Sequence, residues 1–254
     1  MKVSIITVCL NSEQTIEDTI LSVKQQEYGN IEHIFVDGGS TDGTIDIINK
    51  YNDNGSQIIS QKDNGIYDAM NKGLQICSGD ITGFLNADDF YADNFAIQRI
   101  ADTVKLNDVD CCYGDLEYVA KNNPEKQIRI WRSTPYRDNL FNKGWHPPHP
   151  TFFAKKNVFD RLGHFDLNFK IAADYEIMLR FLKRHRIKSC HIPQILVKMR
   201  AGGRSNRNLV QIIRANIECY RAWKINDLPI GPFIMMRKPL SKLVQCRRKK
   251  LIIL

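Results

Sequence analysis

The chain has 254 residues, 43% of them hydrophobic and 25% charged, with 15 Gly and 9 Pro. This is the composition of a globular α/β protein with enough apolar residues to bury its own core, and it excludes a collagen, a coiled coil and a disordered tail. The net charge of +8 hides a division: residues 1–179 hold 17 Lys/Arg and 26 Asp/Glu, whereas residues 180–254 hold 19 Lys/Arg against only Glu218 and Asp227. A segment so basic attracts phosphate, whether on nucleic acid, on anionic lipid or on a phosphorylated substrate.

Val3, Ile5, Ile6, Val8 and Leu10 form a nearly continuous apolar run, as expected of a parallel strand buried on both faces. No small-residue cleavage site follows it, so it reads as a strand and not as a signal peptide. Asn11 and Ser12 offer a helix cap, and Ile16, Ile20 and Val23 give one apolar stripe on a helix that ends before Gly29. A strand over 31–36 follows, then the turn Asp37-Gly38-Gly39-Ser40-Thr41-Asp42-Gly43, then a helix over 44–51. A third strand near 58–60 leads through Asp63-Asn64-Gly65 to a helix carrying Tyr67, Met70 and Leu74, and residues 81–85 make a fourth strand.

Alternating units of this length predict a parallel sheet with helices on both faces, which binds ligands outside the carboxyl ends of its strands. Asp37, Asp63 and Asn86-Ala87-Asp88-Asp89 all fall at those ends. From about residue 110 the pattern loosens into strands over 112–119 and 127–131, a Pro- and His-rich stretch over 145–151, and helices near 173–184 and 206–223. The reading is one domain over residues 1–223 with a basic extension over 224–254. No apolar run reaches the roughly 18 to 20 residues needed to span a bilayer. The seven cysteines are scattered, without a Cys-x-x-Cys pair, which fits a reduced, cytoplasmic setting.

Asp88 and Asp89 are adjacent carboxylates beside the amide oxygen of Asn86. Such a group serves either as a helix cap or as an oxygen seat for Mg2+ or Mn2+ shared with a substrate diphosphate. The Asp37–Thr44 turn lacks the Gly-x-Gly-x-x-Gly spacing of a dinucleotide site and the Gly-Lys-Ser/Thr of a phosphate loop. It is no EF-hand either, because the closing position is Ile48 where a bidentate Glu is required.

Four segments in order resemble glycosyltransferase family 2: Ser4-Ile5-Ile6-Thr7-Val8, Val36-Asp37-Gly38-Gly39-Ser40-Thr41-Asp42-Gly43-Thr44, Asp63-Asn64-Gly65-Ile66-Tyr67-Asp68-Ala69-Met70-Asn71-Lys72-Gly73, and Asn86-Ala87-Asp88-Asp89. The resemblance implies a GT-A fold, a Rossmann-like and mostly parallel sheet flanked by helices, with residues 1–110 as the nucleotide-sugar half and 111–223 as the acceptor half. By position it implies Thr7 and Asp37 at the uridine of a UDP-sugar, Asp63 on the base or ribose side, and Asp68, Asn71 and Lys72 around the donor pocket. The family usually has Asp where Asn86 stands. That departure leaves Asp89 as the expected ligand of Mn2+ or Mg2+ and Asp88 on the donor ribose or sugar.

Asp174, in Ala172-Ala173-Asp174-Tyr175-Glu176, resembles the acceptor-side acid that takes the acceptor's proton. The residues alone favour a helix cap there; the resemblance favours the catalyst. Glu176, on a different face of the same helix, is the alternative base. His149 stands on a stiff Pro-rich loop from which it could meet a diphosphate or the acceptor, and Arg204, in Gly202-Gly203-Arg204-Ser205, is expected to close over the donor diphosphate.

The run Asn64 to Gly73 is similar to bacterial transferases that build O-antigen and exopolysaccharide repeat units. This implies an inverting transfer of glucose or galactose from UDP to GlcNAc- or GalNAc-diphosphate-undecaprenol, through a β-1,3 bond, in lipopolysaccharide biosynthesis. The expected location is peripheral, on the inner face of the bacterial inner membrane, since the extension alternates cations with apolar residues as an anionic leaflet demands. Two other classes remain: a non-catalytic sugar-nucleotide binder, and a nucleic-acid-binding protein using the basic segment. The second leaves the acidic strand ends unexplained, so no nucleic-acid partner is expected.

Overall fold

Strand β1 (Val3–Cys9) is buried at every residue, as an unbroken apolar run with covered faces requires. It pairs in parallel with β2 (Ile31–Asp37) on one side and β4 (Ile81–Phe84) on the other, and β3 (Ser56–Ser60) continues the parallel set beyond β2. Cys9 lies opposite Asp37, and Asp37 opposite Ser60. The carboxyl ends of these three strands are therefore level, and the loops that follow them open on one rim. The computed structural model describes residues 1–52, 56–202 and 209–230.

Beyond β4 the sheet is mixed, in keeping with the mostly parallel sheet expected. β8 (Phe153–Lys155) runs antiparallel to β4 and to the start of β6 (Cys111–Ala120). β9 (Ser189–Arg200) lies parallel along β6, and the short β5 (Asp89–Tyr91) pairs antiparallel with the end of β9. β7 (Asn123–Trp131) folds back as a hairpin on the second half of β6. Antiparallel insertions need no crossover helix, so strands of three residues suffice to close the gap.

The helices are α1 (Ile16–Lys24), α2 (Thr44–Tyr51), α3 (Ile66–Ile76), α4 (Ala96–Leu106), α5 (Lys156–Leu162), α6 (Ala173–Leu179) and α7 (Leu209–Ile225). α3 and α6 share one apolar cluster with Ile6, Val8 and Ile34. α4 seals another through Ile97, Ile100 and Val104, on the odd residues Val3 and Ile5 of β1. Alternate residues of one strand thus feed two cores, one per face. α3 packs tightly on β1 at Gly73, where a methyl group would sit 2.5 Å from Ile6 Cγ2.

The helix expected over 173–184 changes pitch, because α6 gives way at Arg180 to a π-helical turn, Arg180–Arg184. There the Arg180 guanidinium donates to both oxygens of Glu176, at 2.9 and 3.0 Å, and to the His164 carbonyl at 2.6 Å. α7 runs past the expected boundary at residue 223, and Leu228 and Ile230 pack on the same core as α6. The folded body therefore reaches residue 230, while residues 231–254 of the expected extension lie outside the described residues. Among the described residues no helix is long and apolar enough to cross a membrane.

Candidate active site

Asp37 ends β2 with no exposed surface. Burial works to raise its pKa, but hydrogen bonds from the Ser40 and Ser60 hydroxyls and from the Ser40 and Gly39 backbone outweigh it and hold the carboxyl below its ordinary value. Gly39 makes this closed loop possible, since its φ of 90° lies where a side chain is strained. At Gly38 the constraint is space: a Cβ there would meet Asp63 Oδ2 at 2.5 Å. Asp63 is thus brought against the Asp37 loop, and the Cys9 thiol feels both, its pKa pushed up first by burial and then by Asp37, Asp42 and Asp63. The expected uridine-side acids share one corner of the rim.

Thr7 is elsewhere. It has no exposed surface, and its hydroxyl is bonded to His33 Nε2 at 2.9 Å inside the sheet layer. On α3, Asp68 accepts the Asn64 backbone N–H at 2.9 Å, which with the Lys72 ammonium at 3.4 Å holds its carboxyl below its ordinary value. Lys72 also donates to the Lys62 carbonyl at 3.1 Å. Asn71 turns away from the rim: its amide donates to the Phe165 carbonyl at 2.9 Å and accepts the Phe165 N–H at 3.0 Å, stapling α3 to the segment that leads to α6.

At the end of β4, Asn86 Nδ2 donates to Asp89 Oδ2 at 3.0 Å. Asp89 is fully buried and Asp88 half-buried. Burial, reinforced by the charge of Asp88, pushes the Asp89 carboxyl well above its ordinary value, and burial also raises Asp88. Arg200, at the end of β9, opposes both shifts; it donates to the Asp88 carbonyl at 2.9 Å and pairs with Asp18. Sequence reasoning passed over Arg200, whose only signal was membership of the basic half.

The oxygens Asn86 Oδ1 and Asp89 Oδ1 are buried without a hydrogen-bond partner. Two orphaned oxygens beside a half-exposed carboxylate fit a hard divalent cation that completes its shell with phosphate oxygens from a substrate. Among the described residues no three His, Cys, Asp or Glu group as a metal site.

Across from this corner, Asp174 occupies the first turn of α6. Its Oδ1 accepts the Tyr175 N–H at 2.8 Å and the Tyr67 hydroxyl at 3.2 Å, and the same hydroxyl reaches the Ile171 carbonyl at 2.8 Å. Tyr67 stands on α3, so a helix of the expected donor half touches the expected base directly. Tyr118 at the end of β6 is buried under Arg129; burial raises its pKa, Arg129 opposes this, and the charges of Asp89 and Asp174 both add to it. Asp89 and Asp174 therefore lie within electrostatic reach of one hydroxyl. His149 is buried and stacked on Phe84 at 5.5 Å; burial lowers its pKa against the pull of Asp174, so the imidazole is neutral at pH 7.

Glu176 does not join this group. It is buried, paired with Arg180 and bonded to Asn226 Nδ2 at 3.0 Å, so the alternative base is a structural ion pair. Arg204 lies outside the described residues. Sequence reasoning also missed Glu218 of α7, whose carboxylate accepts the backbone N–H groups of Lys170, Ile171 and Ala172 at 3.0, 2.9 and 2.8 Å, just ahead of Asp174.

A mixed sheet of this order flanked by helices, with acids at the carboxyl ends of its parallel strands, is a GT-A glycosyltransferase architecture. The chain belongs to glycosyl transferase family 2, whose model matches residues 4–163. It is 31% identical over 188 residues to a PGL/p-HBAD biosynthesis glycosyltransferase of Mycobacterium tuberculosis (strain ATCC 25618 / H37Rv), covering 70% of this chain and 68% of that one. It is 45% identical over 92 residues to the UDP-Glc:alpha-D-GlcNAc-diphosphoundecaprenol beta-1,3-glucosyltransferase WfaP of Escherichia coli, over 35% of this chain and 36% of that one. In fold it is similar to S. aureus TarS 1–349 in complex with UDP-GlcNAc, with a TM-score of 0.70 and 16% identity, over 100% of this chain and 77% of that one. The mannosyltransferase PcManGT from Pyrobaculum calidifontis, in complex with GDP-Man and Mn2+, gives a TM-score of 0.65 and 17% identity, over 100% and 76% of the two chains.

Proposed function

We propose that this glycosyltransferase moves glucose or galactose from a UDP-sugar to GlcNAc- or GalNAc-diphosphate-undecaprenol with inversion, forming a β-1,3 bond in the repeat unit of a lipopolysaccharide. The observation that carries the reading is the hydrogen bond from Tyr67 of α3 to Asp174, together with the charges of Asp174 and Asp89 both bearing on the Tyr118 hydroxyl. The partial likeness to WfaP supports the choice of acceptor and of a UDP-hexose donor.

Asp63 accepts a hydrogen bond from the uridine, beside the loop that the fully buried Asp37 closes, and Asp68 with Lys72 borders the diphosphate. Asp174 takes the proton from the acceptor hydroxyl as that oxygen attacks the anomeric carbon opposite the leaving diphosphate. Tyr67 holds the carboxylate in place, while the buried, stacked His149 stays neutral behind it. Asp88, the half-exposed acid, and behind it the orphaned oxygens of Asp89 and Asn86, would hold Mn2+ or Mg2+. A divalent cation there supplies positive charge to the departing nucleoside diphosphate. Asp88, being partly exposed, would make the outer contact and the fully buried Asp89 the inner one, whereas the sequence reading puts Asp89 on the metal and Asp88 on the donor ribose or sugar.

The test is turnover of UDP-glucose and UDP-galactose with a synthetic GlcNAc-diphosphate-lipid, read by product mass and NMR. A β linkage is expected, and Asp174→Asn should lower kcat by roughly 10²- to 10⁴-fold with the fold intact. An α-linked product, or an Asn variant as fast as wild type, rules the mechanism out.

A further inference from the structure

α7 has two faces of unlike character. The inner one is committed to the fold: Cys219, Ala222 and Trp223 are buried, Glu218 holds the 170–172 backbone, and the Trp223 indole donates to the Tyr175 hydroxyl at 2.8 Å. The outer one is aliphatic and uncovered by any described residue. Val210, Ile213 and Ile217 are 56%, 58% and 55% exposed, and with Tyr220 they follow one stripe at intervals of three and four. Arg214, Arg221 and Lys224 are also exposed on this helix. Its single acid, Glu218, faces inward.

We propose that this outer face is where the protein rests on an anionic lipid bilayer, with the aliphatic stripe dipping among the head groups and the cations beside it meeting lipid phosphates. Charge argues for this occupant. A second copy docking through the same face would set Arg214, Arg221 and Lys224 against their own equivalents, whereas a leaflet of anionic lipid offers the opposite sign and an apolar layer beneath it. The chain beyond the described residues has the same sign, with Arg237, Lys238, Lys242, Arg247, Arg248, Lys249 and Lys250 and no acid after Asp227. The face is also well located. The helix is about 10 Å across and its inner side grips the segment carrying Asp174, so the bilayer surface would lie about one helix diameter from the acceptor site. The inference deepens the lipid-linked-acceptor reading and rests on it for its purpose, though the following experiment does not.

The full chain is sedimented with vesicles of phosphatidylglycerol and phosphatidylcholine, and with phosphatidylcholine alone, at low salt. Binding to the anionic vesicles only is expected. Ile213→Asp combined with Ile217→Asp, and separately Ile213→Gln with Ile217→Gln, should each weaken it by about tenfold or more. Both positions are exposed, so kcat on a short-chain, water-soluble acceptor should stay at the wild-type value in each variant. Wild-type protein that ignores anionic vesicles, or double variants that bind like wild type, overturns the proposal. So does a double variant that splits a dimer by light scattering without losing vesicle binding. Failure of every UDP-hexose with the soluble acceptor counts against the proposed reaction and leaves the vesicle result to be judged on its own.

Discussion

At the scale of single residues, three carboxylates around α6 do three different things, and their partners decide which. Asp174 accepts one backbone N–H and one phenol and is only partly buried, so it can meet a substrate. Glu176, two residues on, is enclosed with Arg180. Glu218 belongs to neither role: by accepting three successive backbone N–H groups it fixes the Ile171 carbonyl that holds Tyr67, and through Tyr67 it positions Asp174. Replacing it by Ala leaves three donors without their acceptor, a cost of about 1–3 kcal/mol for a buried unsatisfied group. The expected outcome for Glu218→Ala is a lower kcat per folded molecule with an unchanged KM for the donor, partly restored in Glu218→Gln, which keeps one accepting oxygen. Steady-state kinetics on variants checked for folding by circular dichroism measure this. A lower melting temperature with wild-type kcat would mean the residue only braces the fold.

At the scale of elements, the tight contact between α3 and β1 sets the height of the helix that carries Tyr67, Asp68 and Lys72. Gly73→Ala would drive a methyl group into Ile6, a rigid buried neighbour, and overpacking of this kind typically costs about 1–3 kcal/mol. The higher helix propensity of Ala offsets about 1 kcal/mol of that. A net loss in the urea midpoint is expected, and it should shrink in an Ile6→Ala background, which removes the Cγ2 methyl; an additive double variant would show that the two side chains do not collide. The same elements explain what a sequence can display. β1 to β4 and α1 to α3 were legible because each is a long enough run of one period, with Asp37 and Asp88 at strand ends. α4 and the strands β5 and β8 were not read: a strand of three residues completes no period, and β8 is held by neighbours distant in sequence. In the site, acids at strand tips could be anticipated, but Asn71 and Thr7 could not be told from ligands, because what they bond to is set by tertiary packing. Arg200 and Glu218 reach the site from far along the chain and carry no local signal.

At the scale of the whole molecule, the rim opposite the active site is fastened by Glu32, a buried carboxylate near the start of β2. Burial opposes its ionisation, yet the Lys2 ammonium and the Ser4 and Ser78 hydroxyls more than compensate and bring its pKa to about 2. A carboxyl whose pKa is lower in the folded than in the unfolded chain contributes stability that is complete above its unfolded value of 4.5 and is lost as the pH falls toward about 2. Urea midpoints measured from pH 7 downward should therefore fall in wild type below about pH 4.5, and Glu32→Gln should start lower and lose less over that interval. Identical slopes would assign the acid sensitivity to other groups.

The grip of α7 on residues 170–172 also limits how this enzyme can be re-engineered. The span matched by the family model stops at residue 163, yet the candidate base is held from residue 218. A chimera meant to exchange acceptor preference must therefore transplant 165–180 and 209–226 as one cassette, since either graft without the other meets a foreign counterpart at the Glu218 and Trp223 contacts.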